Sequence, residues 1–553
     1  MDAISAAFAS HGQTGRSAGR LADHAAWAVL VALVVIAALT FRSYGLGWDD
    51  YTHSQYGELL LSLYGSGFRD IRALSFVNLY LYGGGFDMAA QALAKILPFD
   101  PFETRRLAGA AIGISGLAIT WRIGRRIGGP LAGLVALVLL AGCPLYYGHM
   151  FINAKDAPFA AAMALFLLGL VRLIEQYPKP SASTRLIVGL GFGFAIGSRI
   201  MAGFGAVDAL LAIGFLFAIE AREFGIRLAG ARLGVALIAL IPSAILAYAL
   251  MALLWPWSVI NPLNPLRAIE IFSHFFETPW RELFQGALIL TVDMPRHYAP
   301  VLFGMRLPEL FLGLSLVGLA GAVVVCVRSE IAPRWRAVLL AVVLAAVLPV
   351  AVTVIGRPAM YNGIRHFVFV LPPLAVLGGL AGAWIADRVA RFGRPTQAAL
   401  GALLTIGIAV PVIGMVRLHP YEYAYFNNIA GGVRGAQHRF MLDYWGLAFK
   451  QAGQELRETL AVRGERPPAG RNWRTAVCGP HPPAQVAVGD QFDLTWDMKG
   501  ADLALQLGVF YCAKRDAPVL VEIVRDGVVF ARVYDVRGRP QRSLFTYPEI
   551  VGE

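Results

Sequence analysis

Ionisable and aromatic side chains stand at the ends of apolar segments in several places along the chain. They are Asp49 with Asp50, Lys155 with Asp156, Arg199, and Tyr361 with Arg365 and His366. Carboxylates can take a proton from a hydroxyl group, whereas cations can neutralise a phosphate. If these side chains share one side of a membrane, they predict a site for a substrate that carries a hydroxyl to deprotonate and a phosphate to hold.

Each group also has a simpler structural explanation. The acidic pair is typical of solvated loop residues, and Asp156 is well placed to cap a helix N-terminus. Arg365 and His366 could lie at a membrane interface with their polar ends in water. Arg199 is harder to explain, because it falls in a very short turn on the side that basic residues avoid, and Asp208 is its candidate partner.

Histidine and cysteine spacing gives no metal site. His53, His149 and His297 show no ligand spacing, and we interpret them as interfacial residues. A divalent ion at the pair Asp49–Asp50 stays open, but no cofactor is predicted. Cys478 and Cys512 lie in the polar C-terminal part, and they can form a disulfide if that part faces an oxidising compartment.

The composition indicates a polytopic membrane protein. Of 553 residues, 57% are hydrophobic and only 15% are charged, against about 25% charged in soluble domains. The net charge of +12 does not indicate nucleic-acid binding, because the arginines stand in short clusters between apolar segments. Eleven spans are predicted, at roughly 25–41, 105–121, 130–149, 157–174, 185–199, 203–219, 233–254, 308–327, 337–355, 366–386 and 397–416.

The basic clusters orient these spans. Placing them in the cytoplasm puts the N-terminal segment 1–24 inside and the C-terminus outside. The membrane domain 25–416 then has large outer loops at 42–104 and 255–307, with amphipathic stretches at Tyr56–Tyr64 and Ala268–Phe276. The outer domain 417–553 should be a small α/β domain, with a helix over Tyr444–Val462 and strands around a turn at Asp526–Gly527.

Four motifs give the chain a family resemblance. They are the acidic pair after the first span, Phe151–Pro158 (FINAKDAP), Tyr361–His366 (YNGIRH) followed by Phe367–Pro373, and Arg296–Val301 (RHYAPV). In order and sidedness they resemble the GT-C class of polytopic glycosyltransferases, in particular the bacterial glycosyltransferase family 39, or protein-mannosyltransferase-like, group. The resemblance covers about residues 25–420.

The resemblance implies a mainly α, GT-C-like fold and transfer of a sugar from a polyprenyl-phosphate-linked donor to an acceptor on the periplasmic face of a bacterial inner membrane. A first-loop carboxylate, Asp49 or Asp50, would be the general base, and Asp156 the second acidic position. Phosphate or substrate binding would fall to Lys155, Arg199, Arg365, His366 and Tyr361. The acceptor, whether lipid, glycan or protein, stays open, because the chain lacks the β-trefoil insertion of eukaryotic protein mannosyltransferases and its tail matches nothing specific.

Other functions stay open from the sequence. A transporter or flippase for a lipid or small solute would place its charges near the bilayer midplane and show repeated halves, neither of which is evident. A non-catalytic scaffold for envelope assembly would tolerate loss of Asp49, Asp50 and Asp156. Within the enzymes, an oligosaccharyltransferase that uses a larger lipid-linked glycan is the nearest competitor.

Overall fold

The computed structural model describes residues 16–273, 280–540 and 543–546. In this part of the chain, nine segments are helical, long and apolar enough to cross a membrane. Their helices are α1 (Arg16–Thr40), α4 (Pro101–Ala141), α6 (Asp156–Gln176), α8 (Gly203–Phe224), α9 (Ile226–Leu254), α13 (Glu309–Val327), α14 (Pro333–Gly356), α15 (Leu371–Val389, preceded by the 3₁₀ turn Arg365–Val370) and α16 (Arg394–Leu418). The predicted fold class, a mainly helical multi-pass membrane protein, is confirmed.

The difference between nine and eleven spans comes from two places. Helix α4 begins with Asp100 capping two amides and Pro101 in its first turn, and it is broken at Gly129, whose φ of 82° is readily adopted only by glycine. It therefore contains two of the predicted spans. A further span corresponds to the shorter apolar helix α7 (Ala182–Ile196). The predicted span 130–149 is interrupted at Gly142–Cys143, because Pro144 starts a new helix, α5 (Pro144–Ile152).

Members of two basic clusters, Arg125 with Arg126 and Arg334, meet at one end of the helix bundle. Arg125 pairs with Asp23 at the start of α1, and Arg126 pairs with Glu175 at the end of α6. Arg334, at the start of α14, donates to the main-chain oxygen of Glu175 at 3.4 Å. These two clusters, which the sequence assigns to one side of the membrane, therefore share one end of the bundle.

The outer loops contain short elements. The first loop holds α2 (Asp50–Gly65) and α3 (Gly85–Ala94). The second holds α10 (Trp257–Ile260), α11 (Asn264–Ser273), an antiparallel hairpin of β1 (Arg281–Phe284) and β2 (Ala287–Leu290), and then α12 (Tyr298–Arg306). Of the predicted amphipathic stretch 268–276, the part beyond Ser273 lies outside the described residues.

The C-terminal part forms a five-stranded mixed sheet with the order β4-β3-β5-β7-β6. Strands β3 (Trp473–Cys478), β4 (Phe492–Thr495) and β5 (Leu503–Leu507) are parallel to one another, and β6 (Val519–Arg525) and β7 (Val528–Asp535) form the predicted hairpin around Asp526–Gly527. Three further helices are α17 (Gly432–Ala436), α18 (Phe449–Val462) and α19 (His481–Val488). The predicted helix over 444–462 therefore starts five residues later, and Cys478 and Cys512 form a disulfide with a Cα–Cα distance of 5.8 Å.

The tail does not stand apart from the membrane helices. One continuous core contains Leu30 of α1, Phe369 before α15, and Tyr423 and Trp445 of the segment between α16 and α18. This core continues to Phe530 of the sheet. The segment 421–448, which the sequence assigns to an outer domain, thus packs against the outer ends of the spans.

Candidate active site

The acidic pair opens onto a small cavity at the outer end of the helix bundle. Four separate parts of the chain build its wall: the first loop, the start of α6, the approach to α15 and the tail. The lining residues are Gly47, Asp49, Asp50, His53, Ile152, Asn153, Ala154, Lys155, Arg365 and Trp445. Residues from three of the four sequence motifs thus come together around one small space.

Asp50 is held by an arginine that the sequence did not single out. Both Asp50 and Arg106 are buried, and their carboxylate and guanidinium groups form an ion pair in which Nη1 lies 3.0 Å from Oδ1. Asp50 also accepts from the Gly47 amide at 2.6 Å, and Arg106 donates to the Gly45 oxygen at 2.7 Å. These bonds fix the chain between the first span and α2.

Asp49 differs from its neighbour. Its carboxylate makes no hydrogen bond or ion pair within the described residues, and it faces the cavity. Burial alone would raise the pKa of Asp49, but the positive charges of Lys155 and Arg365 outweigh this and lower it below the ordinary value. At neutral pH the cavity therefore contains an ionised carboxylate that is not used to hold the fold together.

Asp156 lies at the centre of a cluster of cations. Its Oδ1 is 2.7 Å from Arg199 Nη2, and its Oδ2 is 3.7 Å from Arg365 Nη1. Oδ2 also accepts from the Asn153 side-chain amide at 2.7 Å, and Asn153 Oδ1 accepts from the Asp156 main-chain amide. The expected partner Asp208 does not pair with Arg199, since Asp156 takes that position. Asp156 therefore holds two arginines beside the cavity.

Lys155 completes the positive side of the cavity. Its ammonium group makes no ion pair within the described residues and lies 4.5 Å from the centre of the Tyr82 ring, over which Arg199 also packs at 5.7 Å. Burial lowers the pKa of Lys155. The loop that carries Tyr82 reaches the turn before Arg199 because Gly83 has no side chain: a Cβ there would lie 1.5 Å from the Gly197 oxygen.

Arg365 is positioned from two directions. Its guanidinium carbon lies 4.9 Å from the Tyr361 ring centre and 5.3 Å from that of Trp445. The loop before it is held by Glu282 of β1, whose carboxylate accepts from the amides of Asn362 and Gly363 at 2.6 and 3.2 Å. Burial raises the pKa of Glu282. The second outer loop thus fixes the motif that carries Tyr361 and Arg365.

His366 lies behind this surface. Its ring stands edge-on to Tyr361 at a centroid distance of 5.1 Å, and its Nδ1 is buried with no partner among the described residues. It does not line the cavity. No group of three or more His, Cys, Asp or Glu side chains in the described part of the chain is arranged to hold a metal ion.

His53 is not the interfacial residue expected from the sequence. Its side chain is only 4% exposed, and Nδ1 lies 2.7 Å from Asp87 Oδ2. Asp87 in turn pairs with Arg105, whose Nη2 lies 2.5 Å from Oδ1. The sequence analysis missed Tyr82, Asp87, Arg106 and Trp445, since each comes from a segment far from the motifs.

Comparison with known proteins gives one family match. A family model described as dolichyl-phosphate-mannose-protein mannosyltransferase matches residues 87–252. The matched segment includes Lys155, Asp156 and Arg199, whereas Asp49 and Arg365 lie outside it. A comparison with curated proteins finds no match.

Three solved structures are similar over most of this chain. ArnT from Cupriavidus metallidurans in the apo state is 15% identical, with 94% of this chain and 98% of that chain covered and a TM-score of 0.48. The same protein bound to undecaprenyl phosphate is 16% identical, with 93% and 99% covered and a TM-score of 0.45. An oligosaccharyltransferase from Archaeoglobus fulgidus in the apo form is 12% identical, with 83% of this chain and 64% of that chain covered and a TM-score of 0.47.

Proposed function

We propose that this chain, which its motifs and the family match classify as a protein-mannosyltransferase-like glycosyltransferase of the GT-C class, transfers a sugar from a polyprenyl-phosphate donor to an acceptor hydroxyl at the outer face of the membrane. The observation that carries the proposal is the pairing of an uncommitted carboxylate, Asp49, with a cluster of cations around one cavity.

The residues divide into two roles. Asp49 is the general base, because its carboxylate is ionised and makes no structural bond within the described residues, whereas Asp50 is used to hold Arg106. Lys155, Arg199 and Arg365 bind the donor phosphate, and Asp156 fixes the two arginines. Tyr361 supports Arg365 through its ring, and His366 supports Tyr361 in turn.

The reaction follows from this arrangement. The acceptor oxygen attacks the anomeric carbon of the sugar while its proton passes to the Asp49 carboxylate. The bond between the anomeric carbon and the phosphate oxygen breaks, and the electron pair leaves with the polyprenyl phosphate. Cations already in place stabilise that leaving group without rearranging. A single displacement of this kind inverts the anomeric configuration.

The charge balance supports phosphate binding. Around the cavity, the cations Arg106, Lys155, Arg199 and Arg365 outnumber the carboxylates of Asp49, Asp50 and Asp156. Binding of an anionic donor would balance the excess. Neutralising Lys155 and Arg365 would also raise the basicity of Asp49 at the point where it must accept a proton.

We also infer the orientation of the chain. The basic clusters that meet at one end of the bundle lie in the cytoplasm, and the C-terminal domain with its disulfide lies in the periplasm of a bacterial inner membrane. In this proposal the C-terminal domain begins near residue 417, next to the end of α16 at Leu418. Reporter fusions after Leu418 and at the Gly129 break should report opposite sides of the membrane.

The experiment uses purified protein in nanodiscs with a panel of radiolabelled polyprenyl-phosphate monosaccharides and a membrane extract as acceptor. Consumption of one donor, reduced at least a hundredfold in Asp49→Asn, supports the proposal and names the sugar. Asp497→Asn, an exposed residue of the tail, is the matched control and should equal wild type. If wild type consumes no donor, or if Asp49→Asn turns over like wild type, the proposed function fails.

A further inference from the structure

His53 has one ring nitrogen that is paired and one that has no hydrogen-bond partner within the described residues. Nδ1 lies 2.7 Å from the carboxylate of Asp87, which is itself paired with Arg105. Nε2 is buried, and no described side-chain or main-chain group forms a hydrogen bond with it. Because His53 lines the same cavity as Asp49, the unpartnered nitrogen belongs to the candidate active site.

The partners of His53 determine its tautomer. Burial alone would raise the pKa of Asp87, but His53 and Arg105 outweigh this and lower it, so that Asp87 is ionised. An ionised carboxylate only accepts hydrogen bonds, and Nδ1 must therefore carry the proton. In the neutral ring, Nε2 then presents a lone pair. This is how a carboxylate prepares a histidine to take up a proton, since it also stabilises the imidazolium that results.

The position of His53 relative to Asp49 is set by the first turn of α2. The His53 amide donates to the Asp49 main-chain oxygen at 3.0 Å, so both side chains start from the same helical turn and both reach the cavity wall. Lys155 and Arg365, which also line the cavity, are cations and do not accept a proton in their charged forms. Asp50, the other carboxylate that lines the cavity, is committed to Arg106.

We propose that His53 receives the proton that Asp49 removes from the acceptor hydroxyl, and so returns Asp49 to its ionised form for the next turnover. This inference rests on the proposed function. The acceptor O–H bond breaks as its oxygen bonds to the sugar, and the proton passes first to Asp49 and then to His53 Nε2. The imidazolium is held by Asp87 and loses its proton to water when the products leave. Asp87 and Arg105 act only through His53 as positioning residues.

The arrangement explains why a weakly basic carboxylate suffices. The cations around Asp49 keep its carboxyl from holding a proton, which would make it a poor final acceptor. Imidazole is ordinarily the stronger base by more than two pKa units. The Nε2 lone pair of His53 provides a second proton acceptor that lines the same cavity.

The test compares His53→Gln with His53→Ala in the nanodisc assay. Glutamine keeps a polar group that can form hydrogen bonds but cannot take up a proton, and we expect kcat to fall at least tenfold with the donor KM changed less than twofold. Imidazole added to His53→Ala should restore kcat, whereas pyrrole, which has a similar shape and no basic lone pair, should not. His438→Gln, an exposed histidine of the tail, is the matched control.

Asp87→Asn tests the positioning role. An amide at this place can donate to Nδ1 and favours the tautomer with the proton on Nε2, so kcat should fall by a factor similar to that of His53→Gln. The double variant should then be no slower than either single one. As a control, each variant must elute as a folded, monodisperse species.

Two results would overturn the inference while leaving the proposed function intact. One is a His53→Gln variant with wild-type kcat beside an inactive Asp49→Asn. The other is a His53→Gln variant in which only KM rises, which would make His53 a binding residue. If Asp49→Asn is also fully active, the failure belongs to the proposed function.

Discussion

Neutralising each of the two adjacent acids of the first loop should have opposite effects: Asp50→Asn should lose stability, and Asp49→Asn should lose activity. Asp50→Asn removes one charge of a buried pair, in which the side chains of both Asp50 and Arg106 are 3% exposed. Leaving a buried cation without its partner costs about 3–5 kcal/mol of folding free energy. Asp49→Asn removes no hydrogen bond or ion pair within the described residues, and its cost should be about 1 kcal/mol or less.

Catalysis should respond in the reverse order. Loss of a general base lowers kcat by roughly 10²–10⁴-fold, which corresponds to about 3–5 kcal/mol of activation free energy. Asp49→Asn should therefore unfold near the wild-type temperature but turn over donor at about 1% of the wild-type rate or less. Asp50→Asn should unfold earlier and keep the activity of whatever fraction remains folded.

The assay measures thermal unfolding by intrinsic fluorescence and donor turnover on the same nanodisc preparations. A third variant, Asp50→Asn with Arg106→Met, tests the physical reason, because removing the stranded cation should recover part of the lost stability. The reasoning is refuted if Asp50→Asn unfolds like wild type and is inactive while Asp49→Asn is active. It is equally refuted if the double variant is less stable than Asp50→Asn alone.

Three further predictions concern the surroundings of the cavity. Lys155→Met removes the charge that contributes most to lowering the pKa of Asp49, so the acidic limb of kcat/KM should move to higher pH; an unchanged limb would contradict this. Glu282→Gln places an amide donor against the main-chain amide of Asn362 or Gly363, which should destabilise this loop by about 1–3 kcal/mol. We therefore expect kcat/KM to fall about 5- to 150-fold, while the distant β-sheet stays protected from proteolysis. Cys478→Ser removes a disulfide between residues 34 positions apart, which should lower the unfolding free energy of the tail by about 4 kcal/mol. The tail should then be cleaved by protease faster than in the control Cys326→Ser, which changes a free cysteine.

The sequence determined the membrane architecture because hydrophobicity and charge act locally. A span needs about twenty apolar residues wherever it lies, and arginines next to it orient it regardless of what it packs against. For the same reason the hairpin around Asp526–Gly527 was predicted correctly, since a turn of this kind is set by two residues. The break at Gly129–Pro130 is local too, and it separates two predicted spans within one long helix.

The candidate site is different, because the sequence shows which residue types could react but not which of them lie in contact. Sequence alone could name Asp49, Asp50 and Asp156, but it could not distinguish Asp49 from Asp50 as the candidate base. Pairing distinguishes them: Asp50 pairs with Arg106 and Asp156 with Arg199, which stand 56 and 43 positions away, whereas Asp49 has no such partner within the described residues. An ion pair between distant residues has no local signature.

Tertiary structure alone brought His53 to Asp87 and the tail to the cavity. The first pairing depends on how α2 packs against α3, and the second on a core that joins Trp445 to the membrane helices. Both follow from the burial of apolar surface over the whole chain, which no single segment encodes. The sequence thus determined the apolar spans and the local turns, whereas packing decided that Asp50 is paired with Arg106 and that Asp49 is left without a hydrogen bond or ion pair within the described residues.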